Sequence, residues 1–147
     1  MKGNISIYMC YKENSVFLKE ENRDGYIVSA LMKKVWAVEL DLLSELDRVC
    51  KKYNIKYYAA FGTLLGAVRN KGFIPWDDDI DVCMLRDDYA KFKEVAKNEF
   101  GGKYYYQDWY NSCGRTWIFS KLRNSETTAI ELSLIHISEP TRHSLIS

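Results

Sequence analysis

Apolar residues recur at Val35, Val38, Leu42, Leu46, Val49 and Tyr53, and Leu43 and Cys50 widen the stripe. That helical period predicts a long amphipathic helix over 30–53. Ser29 is placed to cap it and Asn54 to stop it. Lys33, Lys34, Glu39, Asp41, Glu45, Lys51 and Lys52 mostly fall off the stripe and read as a solvated face.

The pattern changes on either side. Ile5, Ile7 and Met9 alternate with polar residues, as do Val16 and Leu18, which predicts a hairpin within residues 1–28. Arg23-Asp24-Gly25 reads as a turn. Ile55 to Phe61 is strand-like by length and composition. Gly62-Thr63 breaks it, and Leu64, Leu65, Ala67 and Val68 suit a short helix ending near Arg69-Asn70. Lys71 to Asp78 is a loop. Asp79 to Leu85 reads as a strand, because Ile80, Val82 and Met84 alternate with Asp79, Asp81 and Cys83. Asp87 to Phe100 follows as a helix closed by Gly101-Gly102. Lys103 to Trp109 and Thr116 to Arg123 read as two strands around a turn at Asn111 to Gly114. The order predicts a one-piece α/β domain, an α+β arrangement around a mixed sheet.

Composition narrows the class. The chain has 147 residues, 47% hydrophobic and 28% charged, which suits one globular domain. A formal charge of +1 gives no general pull toward nucleic acid, so an anionic ligand must be held by local groups. Cys10, Cys50, Cys83 and Cys113 form no CxxC pair and read as reduced thiols. No apolar run approaches the roughly 20 residues that cross a bilayer, and the start has no secretory h-region. The expected compartment is the cytoplasm.

Leu132 to Arg142, LSLIHISEPTR, resembles a translation of the transposase-type adapter used in short-read sequencing libraries. Residues 132–147 are therefore expected to be a non-native tail. His136 and His143 are not recruited as ligands or bases.

Candidate chemistry lies in Phe61 to Val82, FGTLLGAVRNKGFIPWDDDIDV. Asp79 and Asp81 are two apart, and in a strand such side chains share a face, roughly 7 Å from each other. Two carboxylates on one face can hold a divalent cation such as Mg²⁺, which prefers hard oxygen ligands. Asp77 has the same parity if the strand reaches it, and Asp78 would then face elsewhere. Gly62-Thr63 sits where strand becomes helix, where a glycine lets a ligand approach the backbone and free N–H groups suit a phosphate. The Thr63 hydroxyl can cap the helix or donate to a phosphate oxygen. Arg69 can neutralise anionic charge bidentately. Each piece has a plainer reading: a solvated acidic turn, an N-cap, a surface arginine. Trp76 is either a stacking platform or a loop anchor. An EF-hand is excluded, because Val82 stands where glycine is required and Asp88 where glutamate is.

Taken together, GTLLGAVRNKGFIPWDDDIDV resembles the signature of LicD proteins, which include bacterial phosphocholine transferases and the domain of fukutin-related proteins. LDRVCKKYNIKYY and KLRNSETTAI add to the likeness, which runs from about Asp24 to Glu131. The resemblance implies a truncated nucleotidyltransferase-like domain over 29–131, after an N-terminal extension of residues 1–28. Within it Gly62 and Thr63 match the family's Gly-Ser-like turn, and Asp79 and Asp81 match its metal pair and would be catalytic. Lys121 and Arg123 match the KLR element and would contact phosphates. Their plainer reading is a strand edge with solvated basic residues. Phe61 departs from the small residue the family often has before the turn.

The implied activity is transfer of phosphocholine or a related phosphorylated group, with Mg²⁺, from a CDP-type nucleotide donor. The acceptor would be a cell-surface glycan or its lipid-linked precursor, of the lipopolysaccharide or teichoic acid kind, at the inner membrane face. The family's third carboxylate follows the region matching KLRNSETTAI, where the adapter-like segment begins here, so these 147 residues are expected to turn over little. The alternatives are a non-catalytic nucleotide-binding module of the same fold and a bare structural fragment.

Overall fold

The computed structural model describes residues 16–108 and 119–127. The first regular element is a hairpin. β1 (Glu21–Arg23) pairs antiparallel with β2 (Tyr26–Val28), with Asn22 opposite Ile27. Asp24 and Gly25 both have positive φ, at 51° and 85°. That is the two-residue turn whose twist matches paired strands, and Asp-Gly is the dipeptide that tolerates it. The expected hairpin upstream differs: residues 1–15 lie outside the described residues, and Val16 to Leu18 form a turn, not a strand.

α1 (Ala30–Lys52) has the predicted ends. The Ser29 hydroxyl accepts from the Met32 N–H at 3.2 Å, satisfying one free donor of the first turn. Asn54, at φ 51°, takes the left-handed conformation that stops the helix. Its C-terminal half supplies Leu42, Leu46, Val49 and Cys50 to the core.

β3 (Tyr58–Ala59) and β4 (Val82–Cys83) pair antiparallel, shorter than the strands predicted there. The Ala60 N–H donates to the Asp81 carbonyl at 3.0 Å and carries the pairing one step further. Between them lies α2 (Phe61–Arg69), which begins three residues earlier than the apolar pattern predicted and takes in Gly62 and Thr63. α3 (Arg86–Glu99) follows β4, with Phe92 and Ala96 buried. β5 (Tyr104–Gln107) pairs antiparallel with β6 (Lys121–Asn124), Tyr106 opposite Leu122. The predicted turn at Asn111 to Gly114 and residues 116–118 of the second strand lie outside the described residues.

The architecture is α+β, as expected, with its strands in three antiparallel pairs among the described residues. One core joins α1, α3, β5 and β6. Ile55 and Ile80 enter it from the chain flanking β3 and β4. Phe92 meets Tyr106 edge-to-face, centroids 5.6 Å apart, a geometry aromatic pairs prefer.

Three charged residues read as solvated are buried instead: Lys33, Glu39 and Asp41 of α1. Two have partners brought from far along the chain. Lys33 pairs with Glu21 at 2.9 Å and lies over the Phe17 and Trp36 rings. Asp41 receives Lys103 at 2.6 Å and the Tyr104 hydroxyl at 3.1 Å. Paired charges of this kind satisfy the desolvation rule, and their partners are what periodicity cannot see.

Candidate metal and nucleotide site

Asp77 to Asp81 leads into β4, with a single bridge residue at Ile80. Ile80 is buried, while Asp79 and Asp81 on either side are half-buried, so the alternation expected of this segment holds although the strand itself is short. The carboxylates of Asp77, Asp78 and Asp79 come within 4.8 Å of one another. Asp78 therefore joins the cluster, where parity had turned it away, because the segment is not yet a pleated strand at that point. Asp81 is not in this closest group, yet its charge acts on Asp79.

The cluster repels itself. Burial, then the charges of Asp81, Asp77 and Asp78, push the Asp79 carboxyl up to about 6. Burial and Asp78 raise Asp77 as well. Among the described residues, no Lys or Arg forms an ion pair with Asp77, Asp78 or Asp79. An all-oxygen donor set with no ion-pair partner among the described residues fits a hard divalent cation.

Two other elements fix the acidic segment. The buried Trp36 indole N–H of α1 donates to the Asp77 carbonyl at 2.7 Å, and its ring stacks on Phe73 with centroids 4.7 Å apart. At the start of α2, the Thr63 hydroxyl accepts from the Asp81 N–H at 2.7 Å. Thr63 does not cap its own helix. The N-cap position is Ala60, and no side chain bonds there. The Thr63 hydroxyl proton remains available for donation, since a hydroxyl can accept and donate together.

Gly62 has a steric reason to be glycine. A Cβ there would stand 2.5 Å from Asp77 Oδ2, so any other residue would push that carboxylate away. Gly66 has a similar one: a Cβ would meet the Gly72 carbonyl at 2.5 Å, where the loop folds back onto α2. Phe61 precedes them at φ 41°, a left-handed conformation that glycine adopts without cost. The small residue usual there in the resembled family has that backbone rationale.

The remaining candidates divide. Arg69 is exposed in the last turn of α2, roughly 9 Å along the helix from Thr63 by its rise, and bonds Asn70. Among the described residues it forms no ion pair with the cluster. Lys121 of β6 and Asp81 line the same cavity of about 570 Å³, whose walls include Phe61, Tyr89, Tyr106 and Phe119. Arg123 is 5% exposed, so its reading as a solvated edge residue fails. Trp76 is exposed and meets Tyr26 edge-on at 5.6 Å.

Sequence reasoning passed over Trp36, Gly66 and Glu39. Glu39 is fully buried, and neither carboxylate oxygen has a hydrogen-bond partner. Burial, followed by the charges of Asp79 and Asp78, raises its carboxyl well above the usual range, and the Ile80 amide offsets this only in part. A signal existed: Glu39 lies three residues from both Trp36 and Leu42, on the buried side of the helix.

Known proteins share this stretch. Residues 54–144, more than half of the chain, match the model of the LicD/FKTN/FKRP nucleotidyltransferase domain, a span that runs past Glu131. Lipopolysaccharide cholinephosphotransferase LicD of Haemophilus influenzae is 54% identical over 56 residues, covering 38% of this chain and 21% of that protein. An uncharacterized protein of Rickettsia prowazekii is 34% identical over 103 residues, 69% of this chain and 38% of its own length. Another, of Rickettsia typhi, is 36% identical over 75 residues, covering 50% and 24%. The chain thus spans well under half the length of these relatives. No solved structure matches it. Among the described residues, no helix is long and apolar enough to cross a membrane. With its Gly-Thr turn packed against a run of aspartates and more than half its length matching the family's domain, the chain belongs to the LicD/FKTN/FKRP family.

Proposed function

We propose that the protein is a metal-dependent transferase that moves phosphocholine, or a related phosphorylated group, from a CDP-type donor to a cell-surface glycan or its lipid-linked precursor. The observation that carries this reading is the gathering of the Asp77, Asp78 and Asp79 carboxylates within 4.8 Å, with no ion pair to a Lys or Arg among the described residues. The similarity to a lipopolysaccharide cholinephosphotransferase over 56 residues supports the transferred group and the kind of acceptor.

Asp79 and Asp81 would hold Mg²⁺, with Asp77 beside them. When bound, the cation would supply charge neutralisation to a diphosphate and its leaving group. The chain's own residues do the rest by placement. Thr63, tied to Asp81, keeps a hydroxyl proton for a phosphate oxygen. Gly62 leaves room for the Asp77 carboxylate to pack against the start of α2. Lys121 brings a positive charge to the wall of the cavity that Asp81 also lines. The aromatic walls there suit a pyrimidine ring or a quaternary ammonium group. Transfer of this kind is mostly positioning and electrostatics, so such a site needs no covalent nucleophile. A charged nucleotide donor places the reaction on the cytoplasmic side, with the acceptor at the inner membrane face.

The test is calorimetric titration of the 147-residue chain with CDP-choline. Binding is expected in Mg²⁺, weakened roughly tenfold or more by EDTA and by Asp79→Asn. Binding that ignores both would overturn the reading.

A further inference from the structure

α1 meets the acidic segment with two side chains about one turn apart. Trp36 holds the Asp77 carbonyl. Glu39 lies against the Ile80 backbone, between Asp79 and Asp81 in the chain. The burial of Glu39 differs from that of its neighbours. Lys33 and Asp41 reach opposite charges. Glu39 is 0% exposed, and the Ile80 amide beside it does not complete a hydrogen bond to either carboxylate oxygen.

A buried carboxylate cannot stay ionised and unpaired without a large desolvation cost. A proton alone answers the charge but leaves a buried O–H with no acceptor. A cation answers both, because each carboxylate oxygen gains a partner. The neighbouring groups that act on Glu39 are acidic: Asp79, Asp78 and Asp81. A hard divalent cation takes six or more oxygen ligands, more than two aspartates provide. A donor on a long helix, locked by burial, is placed more firmly than one on the adjoining loop.

We propose that Glu39 is a member of the divalent-cation site, contributing its carboxylate from α1 behind Asp77–Asp81, directly or through one bound water. This rests on the metal-site reading above and adds to it a residue from a separate element, outside the Asp-rich motif. Glu39 is then a cation-positioning residue, and α1 does more than support the core.

The proposal gives one substitution two effects of opposite sign. Glu39→Gln keeps the shape and removes the charge. Without metal, in EDTA, its melting temperature is expected to equal or exceed that of the unsubstituted chain, because the unmatched buried carboxyl is gone. In calorimetric titration with Mn²⁺, its affinity is expected to fall roughly tenfold or more. Asp79→Asn, titrated alongside, is expected to lose Mn²⁺ binding. If Glu39→Gln binds Mn²⁺ as the unsubstituted chain does, the role of Glu39 is overturned and the aspartate site stands. If Glu39→Gln melts lower or fails to fold, Glu39 is satisfied without a cation and the proposal also falls. If the unsubstituted chain does not bind Mn²⁺, the metal-site reading itself fails.

Discussion

In its C-terminal half, α1 presents Leu42, Leu46, Val49 and Cys50 to Phe92, Ala96, Tyr106 and Leu122. In its N-terminal half it buries Lys33, Trp36, Glu39 and Asp41. One helix thus serves two environments. The first half of the comparison is ordinary packing, where the stability gained follows the apolar area removed from water. The second half is polar and gains only where a partner is supplied. Lys33 and Asp41 have theirs, and Glu39 does not. A helix can therefore reveal a site by the one buried charge that its own fold leaves unmatched.

Substitutions in the two halves should separate stability from cation binding. Leu46→Ala removes a buried core side chain and should cost about 2–5 kcal/mol in chemical denaturation. Its Mn²⁺ affinity, measured on the folded fraction, should be unchanged. A large loss of affinity would show that core and site are coupled, which breaks the comparison. Trp36→Phe keeps an aromatic ring but removes the N–H donated to the Asp77 carbonyl. Leaving that carbonyl unmatched should cost about 1–3 kcal/mol. Here Mn²⁺ affinity should fall too, because the acidic segment loses its tether.

Protonation sharpens the contrast further. The Asp79 carboxyl is raised from 3.8 to about 6 in the folded protein, and Glu39 is raised as well. Between about pH 4 and pH 6 the folded chain holds protons that the unfolded chain releases. Stability from these groups is therefore present at the acidic end and lost as pH rises. Metal-free protein should show a falling melting temperature across that window, and Asp79→Asn should flatten the fall. An unchanged slope in Asp79→Asn would show that Asp79 is not among the groups responsible.

The smallest effect is expected at Phe61. Its φ of 41° is strained for any residue with a side chain, so Phe61→Gly should recover up to ~1 kcal/mol. It should also remove one wall of the cavity and weaken CDP-choline binding without altering that of Mn²⁺. A matching loss of Mn²⁺ affinity would mean that Phe61 shapes the acidic site as well.

Much of the fold was legible because the signals were local. Ser29 and Asn54 mark the ends of α1, and both act within a turn of themselves. The alternation around Ile80 survived although the regular strand is only Val82–Cys83, with a single bridge at Ile80. The Gly-Thr turn and the aspartate run were visible as a motif, and the fold packs Gly62 against Asp77. What was hidden depends on distant partners. Asp41 is buried because Lys103 and Tyr104 arrive from β5 and the turn before it. Asp78 joins the cluster because the chain there is not yet paired strand. Glu39 reads as solvated only if charge is assigned to the outer face of the helix. Its neighbours Trp36 and Leu42 argued otherwise.

The most direct measurement is anomalous diffraction from a crystal of the protein grown with Mn²⁺. One strong peak is expected among the Asp77–Asp81 carboxylates, on the side facing Glu39. A peak elsewhere, or no peak at saturating Mn²⁺, would contradict the assignment of this acidic segment to a cation and the transferase reading built on it.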